Sequence, residues 1–211
     1  MGEALRNPRV LALSVVYLGI VSGNYGLSYW LPQIVKGVAT DIGLEKVTGI
    51  PINTLTGYLV AVPFAFGIVA MILWTRHSDA TQERVWHVAG PATLSGLCLI
   101  AAAYLASPVL AAAALTICAM GLYAALSTFW TLPTGFLTGS AAAGGIALIN
   151  SIGNLGGFVG PYAIGWIKDT TGETTLGLVV LAAGLIMAGV VTFLMGHDSK
   201  IEMAGSRIMS E

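Results

Sequence analysis

The chain has 211 residues, 56% of them hydrophobic and only 9% charged, with a mean hydropathy of +0.83 and a formal net charge of -1. Soluble domains carry about 25% charged residues, so this composition excludes a water-soluble globular protein and requires a membrane protein. A balanced charge with no basic patch also leaves no electrostatic footprint for nucleic acid, and no nucleic-acid partner is expected.

The charges are segregated along the chain. No Asp, Glu, Lys or Arg lies between Arg9 and Lys36, between Lys46 and Arg76, between Arg84 and Lys168, or between Glu173 and Asp198. Each gap holds the roughly 20 apolar residues that a helix needs to cross a bilayer, and the third is long enough for three such helices. Punctuation by Pro, Gly and charge predicts six spans at about residues 10–35, 55–74, 88–106, 109–132, 140–167 and 176–195, forming one all-α bundle over residues 1–196 with a polar tail at 197–211. The polar start runs into an apolar stretch longer than a signal-peptide core, with no small-residue cleavage site, and reads as an uncleaved first span.

Six spans put both termini on one face. Arg6, Arg9, Arg76, Arg84, Lys200 and Arg207 share that face, and only Lys36, Lys46 and Lys168 fall on the other. The positive-inside rule therefore predicts cytoplasmic termini, tail included, for a multi-pass protein of the cell (inner) membrane. Cys98 and Cys118 both fall inside spans, which argues against a disulfide framework.

In the first span Tyr17, Val21, Asn24 and Ser28 share a helical face, with Tyr25 beside it. Residues 36–53 read as an ordinary polar connection. The loop 76–87, RHSDATQERVWH, holds the densest ionisable set. Asp79 fits the cap of a helix start, Gln82 the capping-box position and Glu83 the positive end of the helix dipole. A metal site made of His77, Asp79, Glu83 and His87 is disfavoured, because no ligand spacing such as HExxH is present. Neither a metal nor a cofactor is expected.

In the fourth span Tyr123, Ser127 and Trp130 share a face. The order Tyr25-Gly-Leu-Ser28-Tyr-Trp30-Leu-Pro32 recurs there as Tyr123-Ala-Ala-Leu-Ser127-Thr-Phe-Trp130-Thr-Leu-Pro133. The two triplets of helices start on opposite faces of the membrane, so a real repeat would be an inverted one, as in many secondary transporters.

The fifth span, AAAGGIALINSIGNLGGFVGPYAIGWIKDTTG from 141 to 172, carries Asn150, Asn154, Pro161 and seven glycines from Gly144 to Gly165. Asn150 and Asn154 lie one turn apart, about 40° round the helix, while Gly153, Gly156 and Gly160 fill a neighbouring arc and Gly157 lies next to them. The amides can face a cavity while the glycines admit another helix, and Gly160-Pro161 can loosen the external third for gating. Ser, Asn and Tyr in spans also simply bond across helices, at about 0.6 kcal/mol each, so packing and ligand binding both remain open for these residues. No Asp, Glu, Lys, Arg or His lies centrally in any span, and no Gly-x-Ser-x-Gly elbow or paired carboxylates supply a nucleophile and base. An enzyme is not expected.

LRNPRV, YGLSYWLPQI, RHSDATQERVWH and FWTLPTGFLTGSAAAGGIALINSIGNLGGFVGPYAIGWIKDTTG, in that order, resemble the second half of major facilitator superfamily transporters. They look closest to the anion:cation symporter family of tartrate, phthalate, hydroxyphenylacetate and sugar-acid permeases. The resemblance covers nearly the whole chain, and INSIGNLGGFVGPYAIG is its most specific part. It implies a bundle of two inverted three-helix repeats, equivalent to the seventh to twelfth helices of a twelve-helix carrier. It also implies cavity positions at Ser127, Trp130 and Asn150, to which helical phase adds Tyr17, Asn24, Tyr25 and Asn154. The loop motif of that family resembles Arg76, Asp79, Glu83 and Arg84 here, while Thr75, Ala80, Gln82 and Val85 depart from its usual Gly, basic, Gly and basic residues.

The implied function is proton-coupled symport of an organic or sugar acid anion. The acidic coupling residues and the cationic partner of the substrate would belong to an N-terminal six-helix half. The expected partners are thus a carboxylate, a proton, membrane lipid, and either that missing half or a second copy. The alternative is a non-transporting or dimerising six-helix scaffold that uses its glycine grooves for partner helices.

Overall fold

A computed structural model describes residues 7–196. Arg6, Lys200, Arg207 and the expected cytoplasmic tail lie outside the described residues. Those residues form helices and no strands: α1 (Pro8–Asp41), α2 (Leu44–Thr48), α3 (Ile52–Thr81), α4 (Val85–Tyr104), α5 (Pro108–Phe129), α6 (Thr131–Phe136), α7 (Gly139–Asn154), α8 (Gly156–Thr171) and α9 (Thr175–Met195). Six stretches are long and apolar enough to cross a membrane: α1, α3, α4, α5 with α6, α7 with α8, and α9. The predicted number of spans, six, matches.

Helix starts follow local chemistry. Asn7 caps α1, its side-chain oxygen accepting from the Arg9 amide at 2.9 Å, and Pro8 supplies the preset φ of a first helical residue. Ser107 and Pro108 repeat the device at α5. At the end of α8, Gly172 takes φ +80, the left-handed conformation in which a side chain is strained.

Three boundaries differ from the sequence expectation. The first two membrane helices run on past residues 35 and 74 to Asp41 and Thr81, because a helix already satisfied by its own ladder continues into water at little cost. The connection at 36–53 is not a plain loop: it contains α2, bounded by Gly43 and Gly49 at φ +67 and +69. The fifth span is interrupted at Leu155, between Asn154 and Gly156, rather than at Gly160-Pro161. Pro161 sits inside α8, and its carbonyl accepts from the Trp30 indole at 3.4 Å, the kind of external partner that makes proline tolerable in a membrane helix.

Helix packing obeys an exchange of the two triplets. α4 packs on α5 as α9 packs on α1, and α3 packs on α5 as α7 and α8 pack on α1. The α4–α9 contact maps onto itself. This is the pattern of two inverted three-helix repeats around a core in which Leu13, Ile20, Leu27 and Leu31 of α1 meet Leu99, Leu122, Phe129, Ile164 and Leu185.

The closest approaches use small residues, as expected where lipid supplies no hydrophobic drive between helices. A Cβ on Gly96 would come within 2.7 Å of the Ala182 carbonyl, and one on Gly121 within 2.7 Å of the Pro91 carbonyl. Ser95, fully buried beside the second contact, bonds to Pro91 O at 2.8 Å and Cys118 O at 3.0 Å. Cys98 and Cys118 are free thiols.

Candidate functional site

Spans one, four and five meet at Tyr17. Its ring stacks on Phe129 at 4.9 Å and 14°, and meets Trp130 edge-on at 4.9 Å and 66°. The same ring lies against Gly153 so closely that any β-carbon there would overlap it. Tyr17 is buried and Trp130 half-buried, so the pair forms a wall. On the other side of α7, Asn150 and Asn154 are exposed, and the Asn154 amide donates to both the backbone carbonyl and Oδ1 of Asn150 at 2.8 Å. The expected separation of amide stripe and glycine groove is therefore present: Gly153 and Gly156 face α1 from the buried side, and the amides face away.

The remaining predicted positions divide. Tyr25 is exposed and lies against Gly157. Asn24 is half-buried; its carbonyl accepts from Ser28 at 2.7 Å, and its side-chain amide has no protein partner among the described residues. Ser127 bonds to Thr75 at 3.0 Å and to the Ala124 carbonyl at 3.0 Å. Thr75 stands where the resembled motif has glycine, and its hydroxyl gives Ser127 a partner inside the bundle. Tyr123 packs into the α3–α5 contact, over Gly67 and edge-on to Phe64 at 6.2 Å, and does not join the wall. Gly160 approaches the Ser22 backbone. Among the described residues, Asp, Glu, Lys, Arg and His stand only near the ends of the membrane helices, as the charge gaps predict.

The loop motif closes a knot between α3 and α4. Arg84 Nη1 donates to Asp79 Oδ1 at 2.6 Å and to Ser78 Oγ at 2.9 Å, while Ser78 donates to the Glu83 carbonyl at 2.7 Å. Asp79 therefore does not cap a helix start, as its spacing suggested. It lies in the last turns of α3, where it holds Arg84, the residue at the N-cap of α4. Glu83 takes the expected place at the positive end of α4, accepting from the amides of Trp86 at 2.7 Å and His87 at 3.2 Å. Its second oxygen meets His87 Nδ1 at 2.6 Å, and His87 Nε2 meets His77 Nδ1 at 2.7 Å. A neutral His87 that donates to the carboxylate accepts at Nε2 from His77 Nδ1. Arg76 is exposed outside the knot. No group of three or more His, Cys, Asp or Glu suited to a metal occurs among the described residues.

Gln82 ends α3 at φ +55, the one non-glycine residue with positive φ among the described residues, at a position where the resembled motif has glycine. Opposite shifts in thermal midpoint are therefore expected. Gln82→Gly should raise stability by about 1 kcal/mol by relieving the left-handed strain. Arg84→Ala, which leaves the buried Ser78 oxygen without a charged donor, should lower it by about 1.5–3 kcal/mol. Melting curves of the two purified variants check both.

A sequence profile of the Major Facilitator Superfamily matches residues 1–161. The “Putative tartrate transporter” of Agrobacterium vitis is 46% identical over 92% of this chain and 41% of its own length. The “Quinolone resistance transporter” of Acinetobacter baumannii is 38% identical over 91% of the chain and 42% of its own length. The “Inner membrane transport protein RhmT” of Escherichia coli (strain K12) is 33% identical over 92% and 43%. The chain thus spans about two-fifths of the length of these relatives.

Proposed function

The chain belongs to the major facilitator superfamily, and from that premise we propose that it supplies the C-terminal six-helix half of a proton-coupled importer of an organic or sugar acid anion such as tartrate. The observation that carries this reading is the contact of one ring, Tyr17, with both Trp130 and Gly153. It gathers an aromatic wall and, one turn from Gly153, the exposed Asn150–Asn154 amides. Such a surface can orient hydroxyl and carboxylate groups by neutral donors. It has no charge with which to compensate an anion, and a buried carboxylate without a partner costs several kcal/mol.

Compensation and proton coupling are therefore assigned to the first six helices of a complete carrier. The two bundles would rock about the shared site to give alternating access, with both termini in the cytoplasm and the carrier in the cell (inner) membrane. Tyr29 (64% exposed), Phe158 (69%), Tyr162 (59%) and Trp166 (60%) present apolar and aromatic surface on α1 and α8, a face that can meet lipid or a second bundle. The scaffold alternative has less support, since Gly153, Gly156 and Gly160 are filled by α1 of the same chain and are not open to a partner helix.

The test uses the chain reconstituted with a six-helix complement. Trp130→Phe, which keeps a ring against Tyr17, and Asn150→Ala are each expected to weaken carboxylate binding about tenfold, with melting unchanged. Wild-type affinity in both would remove the seam from the binding site.

A further inference from the structure

One cation reaches the seam between α1 and α8. Lys168, in the last turn of α8, is half-buried. Its ammonium lies over the Trp30 ring at 4.8 Å and donates to Gln33 Oε1 at 3.3 Å. Both partners belong to α1, and Trp30 is itself tied to α8 through the Pro161 carbonyl. Gly165 lies beside the indole, a Cβ there falling 3.7 Å from the ring, an ordinary contact. An ammonium offers three donors, and one is used. No carboxylate pairs with Lys168 among the described residues, although Asp169 follows it and Glu173 is nearby in the chain; both are exposed. The Gln33 amide, its oxygen turned to Lys168, keeps its N–H groups unpartnered among the described residues. The other cations of this end, Lys36 and Lys46, are exposed.

A cation held by a ring and an amide oxygen, with spare donors beside it, is placed for an anion. We propose that Lys168, Gln33 and Trp30 form a carboxylate-capture site at the mouth opposite the chain termini, distinct from the neutral seam at Tyr17. The proposal rests on the transport reading above and names the residues that first meet the acid. Tyr17 and Gln33 lie on one uninterrupted helix, roughly 24 Å apart at about 1.5 Å per residue, so the two places cannot share one small acid. The charged mouth draws the anion by its field, and the neutral seam then orients it. Trp30 keeps the ammonium from swinging into solvent, and a second carboxylate oxygen can take the Gln33 amide.

The site can be read without transport. In phosphatidylcholine nanodiscs the Trp30 fluorescence component is isolated as the difference between the chain and its Trp30→Phe variant, and is quenched with iodide, with neutral acrylamide as the control. Lys168→Gln is expected to lower iodide quenching of that component about tenfold, the loss of one charge-assisted contact, with acrylamide quenching unchanged and Lys168→Arg retaining most of it. Tartrate should compete with iodide, and its uncharged diamide should not. Equal iodide quenching in the chain and Lys168→Gln would overturn the proposal. So would failure of tartrate to compete, including the case in which added phosphatidylglycerol abolishes the component and marks a lipid headgroup as the occupant. Competition by tartrate together with failure of the complemented bundle to transport any acid would leave the capture site standing and remove the transport reading alone.

Discussion

Leucine in place of Gly156 is expected to cost the bundle its fold. A Cβ at this position would lie 2.7 Å from the Leu18 carbonyl oxygen, 2.7 Å from Ser22 Oγ and 2.8 Å from the Ser22 amide nitrogen. Two of these three are backbone atoms of α1, which cannot turn away as a flexible side chain does. One turn on, Gly160 faces the Ser22 carbonyl in the same way, so the two helices can separate only by opening the whole α1–α8 contact. Overpacking of this kind costs about 1–3 kcal/mol where side chains can shift, and Gly156→Ala should fall in that range. Gly156→Leu adds a branched side chain to a contact with no slack, against a total stability of about 5–15 kcal/mol. It should give little monodisperse protein and no cooperative melt in detergent. Gly57→Ala is the control: nothing lies within 4 Å of its Cβ, and alanine there should be neutral or slightly stabilising. Co-melting of Gly156→Leu with wild type would show that the α1–α8 contact is not the packing seen here.

That contact was only partly legible in the letters. The spacing of Gly153, Gly156 and Gly160 separates a groove from the Asn150–Asn154 stripe, and the structure keeps the two apart. Which helix fills the groove is a tertiary fact, and the sequence offered only a cavity or an unspecified partner. The six spans were readable because charge is costly at the bilayer centre, so the gaps between Arg9, Lys36, Lys46, Arg76, Arg84 and Lys168 mark the membrane directly. The ends of the first two helices were not, since polar residues mark where lipid stops and not where a hydrogen-bonded ladder stops.

Asp79 illustrates a second limit. Asp followed three residues later by Gln reads as a helix start, yet these residues lie at a helix end, and only the position of Arg84 in space decides between the two. The letter echo between Tyr25–Pro32 and Tyr123–Pro133 does correspond to the exchange symmetry of the packing. Its two halves nevertheless diverge: Pro32 lies within the continuous α1, whereas the helical ladder is interrupted at Trp130 ahead of Pro133. The contacts of Thr75 with Ser127 and of Lys168 with Trp30 are not legible in the sequence. The paired residues lie far apart in sequence, and no local spacing signals such pairs.

The central claim is that the Tyr17 seam of this bundle orients an acid through neutral groups and depends on another bundle for charge compensation there and for proton coupling. Uptake of labelled tartrate into proteoliposomes under an imposed inward proton gradient tests it most directly. The chain alone is compared with the chain co-reconstituted with the remaining portion of the Agrobacterium vitis relative. The chain alone is expected to show no gradient-driven uptake, because no Asp, Glu, Lys, Arg or His stands in the middle of any span and a proton pathway through a membrane ordinarily needs one. With the complement, uptake should appear, collapse when the gradient is dissipated, and fall about tenfold in Asn150→Ala. Robust proton-driven tartrate uptake by the chain alone would contradict the account.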